Sequence, residues 1–253
     1  MKLVPVSQIT PARAAHLDST SALVAKGLSM RTAQGPVFGP VDFVVPAGHH
    51  AAILGEQGSG RSAMLLALGG RLKGVSGQLT LGEVDGIAHP RKLRQSIAVA
   101  RITDLVELEP TLTVGEARDE HSLLEGIGSR AGRVTFQELA GALDLELGLD
   151  RLVGDLPAVQ RTLLSVVLGC LRPADFVLLD DVDDSLTRDQ LADVYAAMDV
   201  LALRGHHFIV SALSTSPVPS GAATITLIPP ESADRLALRF GHLRPRRTTI
   251  EAN

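Results

Sequence analysis

Apolar residues in this chain fall into short runs separated by glycine, proline and polar clusters, and their spacing changes from stretch to stretch. Ala22 to Ala25 and Val37 to Val45 have strand character, with Gly35-Pro36 as a turn between them. Ala51-Ala52-Ile53-Leu54 is an apolar run leading into the glycine-rich Gly55 to Gly60, and a helical stretch follows from about Arg61 to Leu68. Strand-like alternation returns at Gln78 to Leu81, and Ile97-Ala98-Val99-Ala100 predicts another strand. From about Thr113 to Gly154 the period is helical, and Thr135 and Glu138 have the spacing of a capping box. A helix through Leu163, Val166, Val167 and Cys170 precedes Phe176-Val177-Leu178-Leu179, an apolar run suited to a buried parallel strand, which ends in Asp180-Asp181. Leu191, Val194, Met198 and Leu201 recur at spacings of 3, 4 and 3, an amphipathic helix, and Phe208-Ile209-Val210 is the next strand. Strands alternating with helices predict an α/β fold with a mainly parallel sheet.

Residues 1 to 20 show no sustained periodicity and carry Pro5, Pro11 and a polar Asp18-Ser19-Thr20, which marks them as a flexible leader. The length of 253 residues suits one large domain or two modest ones. There is no Trp and a single Tyr, Tyr195, so aliphatic side chains must build the core. The lone cysteine, Cys170, excludes an intramolecular disulfide, fits a reducing compartment and belongs to an apolar helix face. The longest apolar runs, such as Leu163 to Leu171, are bounded by arginines and fall well short of the ~20 residues that cross a bilayer. Met1 to Val4 is too short for a signal peptide, so a cytoplasmic location is expected. A net charge of -4 gives no electrostatic reason to expect nucleic acid as a partner. His49-His50 and His206-His207 are adjacent pairs in extended segments, so the members of each pair point to opposite faces and cannot chelate one ion. His206 and His207 are placed at a strand edge. Arg244-Pro245-Arg246-Arg247, in the polar tail 241–253, is expected to be solvated, with an acidic lipid surface as the alternative.

Gly55-Glu56-Gln57-Gly58-Ser59-Gly60-Arg61-Ser62 matches the phosphate-loop pattern G-x-x-x-x-G-K-[ST] except that Arg61 stands in place of Lys. Glycines let backbone amides converge on phosphate oxygens, the following helix adds the positive end of its dipole, and the Ser62 hydroxyl can bind Mg2+. A glycine-rich turn with no ligand would share this composition, so context must separate the two readings. The apolar strand ending in Asp180 lies where a carboxylate for the magnesium is found in a phosphate-loop NTPase. Asp183 or Asp184 is then placed to cap the next helix.

Over about residues 22 to 215 the chain resembles the ATP-binding cassette family, the nucleotide-binding subunits of ABC transporters. Leu54-Gly55 through Ser62 looks like Walker A, and Gly77 sits in the turn that usually follows its helix. Leu112-Thr113-Val114 with Glu116 resembles the segment entering the helical subdomain, and Leu156 to Gln160 followed by Arg161 occupies the signature position. Arg172-Pro173 and Phe176 to Asp181 resemble the run into Walker B, and Ser185-Leu186 falls in the D-loop. The resemblance implies a P-loop NTPase-type mainly parallel sheet flanked by helices, with an antiparallel β subdomain and a helical insertion at about 102–155, in a cassette spanning 21–253. It implies ATP and Mg2+ as cofactors, with Gly55, Gly58, Ser59, Gly60, Arg61, Ser62 and Asp180 at the nucleotide. Ser62 and Asp180 fall at the metal, and Asp181 takes the place of the family's catalytic glutamate. The implied partners are a membrane-spanning transporter subunit and a second ABC cassette, in a homodimer or heterodimer, and the implied location is peripheral at the inner face of the cell membrane.

The chain departs from the family pattern at several stations. Arg61 is longer than Lys and planar, so its phosphate contacts cannot be equivalent. Asp181 is one methylene shorter than Glu, and positioning dominates phosphoryl transfer. Arg101 takes the place of the Q-loop glutamine and cannot accept a hydrogen bond. No histidine follows Phe208-Ile209-Val210, where Ser211-Ala212-Leu213 stands instead. Leu156-Pro157-Ala158-Val159-Gln160 lacks the hydroxyl and glycine amides of the signature. Met30-Arg31-Thr32-Ala33 supplies no ring to stack on adenine, and Thr187 replaces the D-loop aspartate. These losses favour a degenerate cassette that binds nucleotide and hydrolyses it weakly or not at all. The alternatives are a competent transport ATPase using Arg61 and Asp181 as substitutes, and an interaction or regulatory module that keeps only the fold.

Overall fold

The computed structural model describes residues 21–229; the leader 1–20 and the arginine-rich tail lie outside the described residues. Two sheets organise the chain. β1 (Leu23–Thr32), β2 (Gly35–Val45), β4 (Val75–Leu81) and β5 (Val84–Asp85) form an antiparallel sheet in the order β2-β1-β4-β5. β3 (Ala51–Gly55), β6 (Ile97–Arg101), β7 (Phe176–Leu179), β8 (His207–Leu213) and β9 (Ala223–Leu227) form a wholly parallel sheet in the order β6-β7-β8-β3-β9. Among the described residues, six α-helices connect them: α1 (Arg61–Leu68), α2 (Pro90–Ser96), α3 (Val114–Leu124), α4 (Ser129–Ala142), α5 (Ala158–Gly169) and α6 (Arg188–Ala202).

Period-two alternation divides the parallel sheet between two cores. Ile53, Phe176, Leu178, Ile209 and Ile225 face α1 and the antiparallel sheet, where they meet Met64, Leu65, Leu68 and Phe38. Ala52, Val177, Leu179, Phe208 and Val210 face the opposite side and pack with Leu164 and Val167 of α5, Val194 and Met198 of α6, and Phe136 and Leu139 of α4. A sheet covered on both faces needs apolar side chains at successive positions, which is why β7 reads as an unbroken apolar run. The elements expected at Arg61 to Leu68 and Phe176 to Leu179 have those bounds.

Other expectations need correction. The turn of the first hairpin is Ala33-Gln34, because Thr32 pairs with Gly35 and Arg31 with Pro36. Pro36 is accommodated because β2 is an edge strand, where a missing N–H costs no ladder bond. Thr135 and Glu138 cap nothing, since both lie inside α4, whose N-cap is Gly128. The capping boxes are at Thr113 with Glu116, which opens α3, and at Thr187 with Gln190, which opens α6. Asp183 caps no helix either and accepts instead from the Leu213 N–H (3.0 Å) and the Ser216 hydroxyl.

The histidine pairs lie at strand starts. His207 begins β8, the middle strand of the parallel sheet, and His50, His206 and His207 are all buried. His50 Nδ1 accepts from the Phe208 N–H (2.9 Å), Nε2 lies 3.5 Å from the Asp199 carboxylate, and the ring is 5.9 Å from that of His207. Burial pushes the His50 imidazole below its ordinary value, with Asp199 opposing. As pH falls, the unfolded chain therefore takes up this proton first, so the stability contribution is complete above about pH 6.5 and declines below it. The melting temperature should fall between about pH 7.5 and 5.5, and His50→Asn, which retains an acceptor for Phe208, should flatten part of that slope. Equal slopes in a calorimetric pH series would show that His50 does not contribute.

Candidate functional site

The glycine-rich loop leaves β3 at Gly55 and enters α1 at Arg61. Its glycines are required by contact as well as by conformation. A Cβ at Gly55 would lie 2.3 Å from Ser59 Oγ, and one at Gly60 would lie 2.4 Å from the Val37 carbonyl oxygen. Gly60 has φ 89° and Gly58 φ 79°, values that L side chains rarely adopt. The Gly60 carbonyl accepts from the Met64 N–H (2.9 Å) as the helix begins, and Gly60 brings no side-chain cap. The first-turn amides therefore lack intrahelical acceptors and present the positive end of the helix to the loop. Ser59 Oγ and Arg61 Nη1 are buried with no hydrogen-bond partner. Amides, a hydroxyl and a guanidinium edge together make a receptor for an anion.

The two carboxylates lie immediately after β7. Asp180 is fully buried; Oδ1 accepts from the Ser211 hydroxyl and Oδ2 from the Thr103 N–H (3.3 Å). Asp181 takes φ 43°, a left-handed turn that aspartate tolerates better than most residues. One Asp181 oxygen, Oδ1, is 2.8 Å from Arg61 Nη2, and the other accepts from the Thr103 hydroxyl at 3.2 Å. Its N–H donates to Ser211 Oγ (2.8 Å), so one serine from β8 ties both acids together. Burial and the adjacent Asp180 push the Asp181 carboxyl above its ordinary value, while the Arg61 cation and the Thr103 bond pull it down.

Arg101, at the end of β6, does not reach into a nucleotide space. Its Nη2 donates to the carbonyls of Asp180 (2.9 Å) and Asp181 (2.7 Å), Nε donates to the former at 3.2 Å, and Nη1 donates to Thr162 at 3.4 Å. The residue in the Q-loop position thus braces the turn that carries the acids. Pro157 is the N-cap of α5 and offers no capping side chain, Val159 packs against the helical core, and the Gln160 side chain accepts from Arg151 at 3.4 Å. Arg31 and Thr32 are exposed at the end of β1.

The structure therefore brings Arg61 and Asp181 together and sets Asp180 beside them, while Thr103 and Ser211, whose roles went unrecognised in the sequence, complete the group. Mg2+ on Ser62 and Asp180, as expected from the sequence, would compete with bonds already made within the chain. Both Asp180 oxygens already accept hydrogen bonds, and Asp181, the other carboxylate, carries the Arg61 cation. What remains is an anion receptor of unpartnered donors with the Arg61 cation beside it.

A parallel sheet with a phosphate loop at the end of one strand and acids at the end of another defines a phosphate-loop nucleotide-binding domain. The ABC transporter family profile matches residues 38–183, more than half of the chain. The chain belongs to the ABC transporter family, among its nucleotide-binding cassettes. A Streptomyces coelicolor protein provisionally named as an ABC transporter ATP-binding protein is 27% identical over 91% of this chain and 95% of its own length. The cytochrome c biogenesis ATP-binding export protein CcmA of Xanthomonas oryzae is 33% identical over 66% of this chain and 75% of its own. The ribose import ATP-binding protein RbsA of Corynebacterium glutamicum is 26% identical, but this chain spans only 34% of its length. Among solved structures, the ADP conformation of the ATP-binding cassette MJ1267 superposes with a TM-score of 0.67 at 16% identity, covering 83% of this chain and 90% of that one. The cassette MJ0796, solved as a dimer, gives 0.67 at 17%, covering 82% and 94%. At those identities the structural likeness carries the fold alone.

Removing the shared serine gives a direct test of the site's internal bonding. Ser211→Ala leaves the buried Asp180 carboxylate short of one donor and should lower unfolding free energy by about 2 kcal/mol in urea titrations. A change below about 0.5 kcal/mol would show that the serine does not support the carboxylates.

Proposed function

We propose that the protein is a degenerate ATP-binding subunit of an ABC transporter, one that takes up nucleotide and turns it over weakly or not at all. The observation that carries this reading is the 2.8 Å ion pair between Arg61 and Asp181. In the family the first position handles the terminal phosphates and the second polarises the attacking water. Here the two side chains engage one another. Thr103 donates to the other Asp181 oxygen, so both oxygens are engaged within the chain and the carboxylate is held toward Arg61 and Thr103. Ligand binding falls to Gly55, Gly58, Ser59, Gly60, Arg61 and Ser62, with Asp180 as a structural anchor behind them. The family's Mg2+ has no part in this reading, because both acids, Asp180 and Asp181, are engaged within the chain by Ser211, Thr103 and Arg61.

The expected partners are a membrane-spanning transporter subunit and a second ABC cassette, as a homodimer or a heterodimer. The names of the Xanthomonas and Corynebacterium relatives, one for export and one for import, support a transport setting without fixing substrate or direction. No described helix is long and apolar enough to cross a membrane, so membrane attachment of the described part would come through that subunit, at the inner face. The helical region of about 102–155 is the docking subdomain in this reading; Leu105, Leu123 and Leu124 are exposed there.

The assay is phosphate release beside thermal unfolding. ATP at millimolar concentration should raise the melting temperature, since it binds only the folded chain, while phosphate release stays near the uncatalysed background. Asp181→Glu alone should not restore turnover, because Arg61 still holds the carboxylate and the left-handed backbone disfavours the longer residue. Turnover of about 1 per second or faster by the unaltered chain would contradict the proposal.

A further inference from the structure

We propose that this site takes its nucleotide as the metal-free polyphosphate, with the Arg61 guanidinium standing where a magnesium ion would otherwise join the phosphates to the acids. The inference rests on the reading above that the glycine loop holds the phosphates, and it concerns the form of the ligand.

Four carboxylate oxygens flank the loop, and each has a protein donor. Asp180 Oδ1 accepts from Ser211, Asp180 Oδ2 from the Thr103 N–H, Asp181 Oδ1 from Arg61 and Asp181 Oδ2 from the Thr103 hydroxyl. The Arg101 guanidinium adds a second cation, bonded to both carbonyls of the same turn. Octahedral Mg2+ would need ligand oxygens at about 2.1 Å in near-ideal geometry and would sit beside a fixed positive charge. Acids already held by guanidinium, hydroxyl and amide groups would have to reorient for that geometry, against repulsion from the Arg61 cation. Among the described residues no group of three or more His, Cys, Asp or Glu could hold a metal ion.

The receiving side of the site is built for an anion. The Arg61 side chain is nine-tenths buried, with Nη2 committed to Asp181 and Nη1 left without an acceptor. Ser59 Oγ, 1% exposed, is likewise unpartnered. Both belong to the loop that opens α1, whose first-turn amides add partial positive charge. An unpartnered guanidinium edge, a hydroxyl and a helix start favour the more negative of two ligand forms, and free ATP carries two more negative charges than its magnesium complex. One guanidinium can bridge a carboxylate on one edge and a phosphate on the other, because its donors form a planar fork.

The test is calorimetric titration of the full chain with ATP, once in excess EDTA and once in excess Mg2+. The metal-free arm should give affinity equal to the magnesium arm or up to about tenfold tighter. Affinity at least tenfold weaker in EDTA would overturn the inference while leaving the ATP-binding reading intact. No heat and no thermal shift in either arm would overturn both. Arg61→Met should lose at least tenfold in metal-free affinity. Asp181→Asn, which keeps the guanidinium and frees it from its ion pair, should retain metal-free binding and serves as the control if the first variant does not fold. Loss of metal-free binding in folded Asp181→Asn, or its retention in folded Arg61→Met, would contradict the assigned bridge.

Discussion

Two adjacent carboxylates at the end of a buried strand are costly unless charge and hydrogen bonds compensate them. Asp180 and Asp181 meet this constraint with groups drawn from across the parallel sheet. Ser211 comes from β8, Thr103 and Arg101 from the end of β6, and Arg61 from the first turn of α1. The same bonds fix the relative positions of three neighbouring strand ends and the glycine loop. Charge compensation and geometry are thus one problem with one solution in this molecule.

In the proposed reading, that solution works against catalysis. A phosphate-loop enzyme keeps its loop cation for the phosphates and leaves a carboxylate beyond it for water, because catalysis depends on placement and preorganised charge. Here the cation and carboxylate neutralise each other, and Arg101 holds the turn in place from behind. The apparent losses at the Q-loop and Walker positions belong to one local network. Arginine at 61 has the reach for Asp181 that its planar fork requires, and arginine at 101 has enough donors for two carbonyls and a threonine. Pro157 and Val159 at the start of α5 follow the same trend, favouring helix entry and core packing over contact with a ligand.

Much of the fold was readable because its signals are local. The apolar run of β7, the loop between Gly55 and Ser62 and the helical period of α6 each contain their own instruction within a few residues. Errors arose where two local signals competed. Gly35-Pro36 reads as a turn, yet the edge position of β2 lets the proline join the strand, and Thr135 to Glu138 has capping spacing inside a helix that starts earlier. β9 went unnoticed because Ala223-Thr224-Ile225-Thr226-Leu227 alternates weakly beside a proline- and serine-rich stretch, and only pairing with β3 makes it a strand. The site was half readable. The loop glycines and the two acids follow from motif spacing, whereas the Arg61–Asp181 pair and the Ser211 bridge join residues far apart in sequence and exist only once the sheet is assembled.

The central claim is that Arg61 and Asp181 are energetically one unit, and a double-mutant cycle measures that directly. Unfolding free energies of the unaltered chain, Arg61→Met, Asp181→Asn and the double variant, taken from urea titrations at neutral pH, give the coupling between the two side chains. A favourable coupling of at least about 1 kcal/mol is expected for a pair at this depth. Additivity within about 0.3 kcal/mol would contradict the account.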